Sequence, residues 1–159
     1  MRIRTAMLLA ALVLLPAAVA SAQGAKLSAD DHFEIQNLYA RYNHAHDSSD
    51  ASVLATVFTP DGEFVLNGKP MSALGMIKPG NAKTQPQVRH VASSIVVNAA
   101  PEGARGSSYV ILVNLQATPP AIMGGGYYED VIVKTPQGWR FKKRTYSPQA
   151  AAPAPAPAK

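Results

Sequence analysis

The chain has no cysteine. That excludes disulfide stapling, a cysteine-built zinc site and a lipid attached behind an export signal, so stability has to come from packing. Histidine is scarce, with four in 159 residues and none after His90. No internal repeat is present. No phosphate loop is present either: neither a lysine nor a helix start follows Gly124-Gly125-Gly126. The charge excess is small, +5 for the whole chain and +3 without Arg2 and Arg4. An excess so modest in an exported domain argues against nucleic acid as a partner. The basic cluster Arg140-Phe141-Lys142-Lys143-Arg144 reads instead as alternate residues of a strand, with the basic side chains mostly in solvent.

Residues 1–22 read as a cleavable signal peptide. Arg2 and Arg4 form a positive start, Ala6 to Leu15 an apolar stretch, and Ala20-Ser21-Ala22 a small-residue cleavage site. The apolar stretch is too short to span a bilayer comfortably. Cleavage leaves 137 residues beginning at Gln23, enough for one domain with a real core. The expected location is the periplasm or beyond, with no stable membrane insertion after cleavage. Residues 23–147 are expected to form the domain. Residues 148–159 are expected to be a disordered Ala/Pro-rich tail, because alternating prolines favour an extended chain that cannot pack a core.

Helices come first. Ser28 is expected to cap a helix with Asp30 and Asp31 in its first turn, and Ile35, Leu38, Tyr39 and Tyr42 recur at helical spacing. Asp50 can cap a second, short helix that buries Val53, Leu54, Val57 and Phe58. Thr59-Pro60-Asp61-Gly62 is a turn, Glu63 to Leu66 a short strand, and Asn67-Gly68 a tight-turn signal. Ser72 to Ile77 reads as a third short helix and Lys78 to Gln87 as a mobile loop. Four strands then follow: Val88–Asn98, Ala104–Gln116, Ile122–Lys134 and Trp139–Tyr146. The three glycines at 124–126 signal either a bulge that lets the sheet curl or a flexible loop between two shorter strands. The fold class is α+β: a curved antiparallel sheet with the N-terminal helices laid across its open side, enclosing a cone-shaped small-molecule cavity.

Asp47 and His90 are the pair with chemical content. Asp47 ends the first helix and His90 opens the first long strand. A carboxylate that orients one imidazole is a simple device for taking a proton from carbon near neutral pH. Asp47 could equally cap the following helix, and His90 could be an ordinary half-buried strand residue. His44 and His46, two apart on a helix, face different directions and make a poor chelating pair, so no metal is expected. His46 is the better of the two as a pocket residue. Tyr42 could face the cavity or the core. Phe64 and Ile111 are expected as apolar pocket or core residues, and Tyr109 and Tyr127 as phenol donors. Trp139 reads as core.

Several segments carry a resemblance: Glu34 to Tyr42, His46-Asp47-Ser48-Ser49-Asp50, Phe58 to Phe64, Arg89-His90, Tyr127-Tyr128-Glu129-Asp130 and Gly138-Trp139-Arg140-Phe141. Together, in this order, they resemble the SnoaL-like group of the nuclear transport factor 2-like superfamily, over roughly Leu27 to Tyr146. The resemblance implies a cystatin-like roll, homodimerisation through the convex sheet face, and no cofactor. Asp47 and His90 look like the Asp–His dyad of the scytalone dehydratase and dehydrochlorinase branch, where the histidine removes a proton from carbon. That implies an exported lyase or isomerase acting on a small apolar or aromatic compound by dehydration, dehydrohalogenation or retro-aldol cleavage. Tyr42, His46, Phe64, Tyr109, Ile111 and Tyr127 would then bind substrate. The chain departs from scytalone dehydratase in two places. It has no second histidine on a later strand, and His46 stands where that enzyme has a tyrosine. The other reading is a non-catalytic binding or assembly domain of the same fold.

Overall fold

A computed structural model describes residues 26–76 and 88–149. The expected signal peptide, the expected loop at 78–87 and the Ala/Pro-rich segment from residue 150 lie outside the described residues. Ser28 starts helix α1 (Ala29–Ser48) through a capping box: it accepts from the Asp31 amide at 3.1 Å while the Asp31 carboxylate accepts from the Ser28 amide at 3.0 Å. Ser49 closes the helix in the left-handed conformation, φ 54°. Asp50 caps α2 (Ala51–Val57), accepting from the amides of Ser52 and Val53.

The strands are β1 (Phe58–Leu66), β2 (Lys69–Ser72), β3 (Val88–Ala100), β4 (Gly103–Asn114), β5 (Ala121–Thr135) and β6 (Gly138–Gln149). They form one six-stranded sheet in the order β2-β1-β6-β5-β4-β3. All neighbours are antiparallel except β1 and β6, which run parallel. That pairing corrects a purely antiparallel expectation: β1 has its hairpin partner β2 on one side and the last strand, β6, on the other, and β6 runs in the same direction. Four further details differ from the sequence reading. The Thr59–Gly62 turn is an irregularity inside β1. A short strand, β2, follows Asn67-Gly68, whose positive φ angles (52° and 74°) suit a tight hairpin. The third helix shrinks to a single 3-10 turn at Ala73–Gly75. β6 also continues past Ser147, pairing Pro148 with Gly126 and Gln149 with Gly125.

The core lies between α1 and the concave sheet face. Ile35, Leu38, Tyr39, Tyr42 and Ala45 from α1 meet Val110, Tyr128, Ile132, Trp139 and Phe141 from the strands. Each large apolar side chain sealed there contributes about 1.5–3 kcal/mol. A bulge at the glycine run leaves Leu112 opposite Gly124 and Val113 opposite Ile122, so the glycines bend β5 rather than split it. A second bulge, between Val131 and Ile132 against β6, skips one β6 residue: Ile132 faces Phe141 and Val131 faces Lys143. Inward positions on β6 are therefore Trp139 and Phe141 before it, and Arg144 and Tyr146 after it. Arg144 is thus wholly buried, which corrects the expectation that the 140–144 cluster stays in solvent.

Candidate functional site

His90 sits near the start of β3, opposite Leu112 of β4, and Asp47 sits in the last turn of α1. The helix lies across the sheet so that these two meet. His90 Nδ1 and Asp47 Oδ1 are 2.7 Å apart, and the His90 backbone amide also donates to Asp47, at 3.1 Å to Oδ1 and 3.3 Å to Oδ2. A carboxylate only accepts, so Nδ1 carries a proton in this bond, and in the neutral ring Nε2 is left with the lone pair. The two side chains are 12% and 15% exposed, partly dry yet reachable. Asp47 is free for this role because Asp50 caps the next helix.

A cavity of about 290 Å³ opens beside the pair. Tyr42 and His46 line it from α1, Phe64 and Leu66 from β1, Met71 from β2, and Met76 from the segment after the 3-10 turn. Leu112, Tyr128 and Tyr146 complete it from β4, β5 and β6, with His90 at its rim. Its size is near the lower end for small-molecule sites, and its walls are mostly apolar with a few polar groups. The rings of His90 and His46 are 4.7 Å apart, those of His46 and Tyr42 5.6 Å, and those of Tyr42 and Tyr128 6.0 Å. One wall is therefore a continuous row of rings. Burial, and then the neighbouring His90, lower the pKa of His46 from 6.5 to about 4, so it is a neutral imidazole at working pH.

Of the residues expected to bind substrate, Tyr42, His46 and Phe64 line this cavity. Tyr109, Ile111 and Tyr127 do not. Val110, Leu112 and Tyr128 point toward the helices, and alternate strand residues point to opposite faces. Tyr109 and Ile111 are accordingly 47% and 40% exposed, and Tyr109 packs against Tyr127 on the outer face with rings 5.2 Å apart. Two of these three expectations missed by one residue, Leu112 for Ile111 and Tyr128 for Tyr127, while neither neighbour of Tyr109 lines the cavity. The signal that selects between them is the pairing of His90 with Leu112, which marks the inward face of β4 and, through Ser108, that of β5. Leu66, Met71, Met76 and Tyr146 were not anticipated as lining residues.

Behind the cavity lies Arg144, fully buried. Its Nε is 3.1 Å from Asp130 Oδ1 and its Nη2 donates to Asp130 Oδ2 at 3.2 Å. Tyr39 donates to Asp130 Oδ2 at 2.6 Å. Burial raises Asp130 to about 6, with Arg144 and the Tyr39 hydroxyl pulling the other way. Among the described residues, no group of three or more His, Asp or Glu side chains converges as a metal site, and no helix is long and apolar enough to cross a membrane.

No curated protein matches the chain at a significant level. Among solved structures, it is similar to Rv3472 of Mycobacterium tuberculosis, a protein of unknown function. The two are 23% identical over 82% of this chain and 84% of that one, with a TM-score of 0.69. It is also similar to a Novosphingobium aromaticivorans protein named, provisionally, a scytalone dehydratase, at 20% identity over 77% and 89% of the two chains and a TM-score of 0.63. LinA gives 16% identity over 76% and 87%, also with a TM-score of 0.63. At these identities the likeness is one of fold. A family model for the SnoaL-like domain matches residues 28–145, most of the chain, and the protein therefore belongs to the SnoaL-like domain family, with the nuclear transport factor 2-like, cystatin-like fold.

Proposed function

We propose that this protein is a cofactor-independent lyase or isomerase acting on a small apolar or aromatic compound, with His90 as general base and Asp47 as its orienting group. The observation that carries the reading is the 2.7 Å contact between His90 Nδ1 and Asp47 Oδ1 at the rim of an apolar cavity. Asp47 holds the tautomer in which Nε2 is the base. Nε2 takes a proton from substrate carbon. The electron pair left behind forms a double bond, and the leaving group departs from the adjacent carbon with its own bonding pair. Asp47 stabilises the imidazolium formed. His46, neutral and beside His90, can donate to the departing oxygen. Dehydration and dehydrohalogenation follow this scheme; in a retro-aldol cleavage the same base would instead take the proton of a hydroxyl, whose oxygen becomes a carbonyl as the adjacent carbon–carbon bond gives its pair to an enolate.

The experiment is a turnover screen of aromatic and steroid-like compounds against purified protein and His90→Ala. A positioned general base contributes about 10²- to 10⁴-fold, so His90→Ala should lose that much turnover while keeping its circular dichroism and unfolding midpoint. Unchanged turnover in His90→Ala would remove the dyad mechanism; ligand binding with no turnover by the wild type would favour a non-catalytic binding domain. We also place the protein outside the cytoplasm, on the strength of the 1–22 signal pattern. N-terminal sequencing of protein recovered from a periplasmic extract should then begin at Gln23, and an intact Met1 would contradict export by cleavage.

A further inference from the structure

The cavity uses one side of α1, through Tyr42 and His46. A different stripe of the same helix, Glu34, Asn37, Arg41 and His44, recurs at spacings of three and four and flanks the core positions. It forms one wall of a groove of about 770 Å³. Val53 of α2 and Gln137, Gly138 and Trp139 at the β5–β6 turn form the other wall. The groove shares no lining residue with the cavity.

Charges of both signs stand in this groove without partners. Lys134 feels the charge of Glu34 but is held by Asp31, 2.7 Å away. Glu34 and Arg41 form no ion pair or hydrogen bond among the described residues. Arg140 gives one N–H to the Trp139 carbonyl, at 3.0 Å, which fixes its guanidinium and leaves the other donors free. Gly138, whose positive φ of 98° suits the turn, leaves a cradle beside it: a Cβ there would lie 3.8 Å from Arg140 Nη1 and 3.8 Å from Glu34 Oε2. The two charges therefore face each other across that space, at most twice this distance apart, and do not close into an ion pair. Burial, and then the charge of Arg41, lower the pKa of Arg140 from the usual arginine value, so a second guanidinium stands near the first. One acid against two guanidinium groups leaves the groove with an excess of positive charge.

We infer that this groove binds an acidic α-amino acid: the Glu34 carboxylate takes the ammonium group, Arg140 the α-carboxylate and Arg41 the side-chain carboxylate. An α-amino acid carries its two opposite charges on one carbon, which is the arrangement needed to bridge Glu34 and Arg140 above Gly138. A guanidinium can give two parallel N–H groups to one carboxylate. The second carboxylate matches the positive excess. The methylene chain lies against Val53 and the ring of Trp139, which a 3.0 Å bond to Asp31 holds in place. A plain dicarboxylate would leave Glu34 unmatched, and a neutral amino acid would leave Arg41 unmatched. No group of the dyad or its cavity takes part, so the site stands whether or not the lyase reading does.

Calorimetric titration of the purified protein with L-glutamate and L-aspartate tests the site. At least one of the two should bind saturably at millimolar concentration or below. Glutarate, which lacks the ammonium group, and L-alanine, which lacks the second carboxylate, should each bind at least about tenfold more weakly, the scale of a lost hydrogen bond between charged groups. Glu34→Gln should bring the acidic amino acid down to the level of glutarate, and Arg41→Gln should bring it down to that of L-alanine. Both side chains reach solvent, so both variants should keep native circular dichroism. His90→Ala should bind as the wild type does, whatever its turnover. Four outcomes overturn the inference: no saturable binding of either acidic amino acid; glutarate or L-alanine binding as tightly, which would leave only an unspecific charge contact; unchanged affinity in Glu34→Gln or Arg41→Gln; or lost affinity in His90→Ala, which would move the ligand to the cavity. The first two are read on the wild type and hold even if a variant does not fold.

Discussion

Asp47 and Asp50 stand three residues apart and do different work. Asp50 accepts the free amides of α2, whereas Asp47 turns to His90. Substitution should separate them. Asp47→Asn leaves the His90 tautomer unfixed and should lower turnover by about 10²-fold or more with little change in unfolding midpoint. Asp50→Ala should lower the urea unfolding midpoint and leave turnover intact, as expected for a lost cap. The reverse pattern would exchange their roles. His46 carries a pH signature. Above about pH 6.5 both folded and unfolded chains hold it neutral and it contributes no pH dependence. As the pH falls from 6.5 toward about 4, the unfolded chain gains a proton that the native one refuses, so stability is lost, on the order of 3 kcal/mol in total. Asp130 works in the opposite sense: raised to about 6, it takes its proton in the native state first, which adds stability between about pH 6 and 3.8. The comparison with His46→Gln isolates the histidine. The stability of wild type minus variant should fall across pH 6.5 to 4, and a flat difference would show that His46 is not held neutral. At this scale the sequence was informative where a side chain had few rivals. His90 is one of four histidines and the last in the chain, and Asp47 is the carboxylate at the helix end left over once Asp50 caps the next helix.

The elements themselves were largely legible. Capping residues, helical spacing and turn dipeptides are local signals, and α1, α2 and the four long strands follow them closely. What failed was parity. Arg144 and Tyr128 became inward residues, and Ile111 and Tyr127 outward ones, because a strand shows its two faces equally until its partner's register is known. The two bulges act on this directly: the one against β6 skips a residue and carries Arg144 into the core. Gly106 marks another close fit. A Cβ there would run into the Tyr39 hydroxyl, which is bonded to Asp130. Gly106→Ala should therefore cost about 1–3 kcal/mol in urea unfolding. A neutral outcome would mean that Tyr39 can leave Asp130 without consequence.

On the scale of the whole molecule, the sheet has a covered face and a bare one. α1 and α2 seal the concave side, while Val91, Val96, Tyr109, Ile111 and Ile122 remain 40–72% exposed on the other. An apolar surface of that extent is unusual on a lone domain and fits the homodimer that the family resemblance implies. We expect size-exclusion chromatography with light scattering to give twice the chain mass, and Ile111→Glu with Ile122→Lys to give the monomer with its fold retained. A monomeric wild type at micromolar concentration would exclude the dimer. The same division explains the fate of Tyr109, Ile111 and Tyr127: what reads as pocket chemistry in a strand pattern belongs to the surface turned away from the helices.

The sequence alone determined the succession of elements, the caps that start both helices, and the Asp–His pair, because each depends on neighbours along the chain or on a residue type with few alternatives. Only the tertiary structure decided which strand faces look inward, that β1 runs parallel beside β6, and that Arg144 is buried among aromatic rings behind Tyr128. Those outcomes depend on register between strands far apart in sequence. A shift of one residue costs the local chain nothing, yet it exchanges every side chain between cavity and solvent.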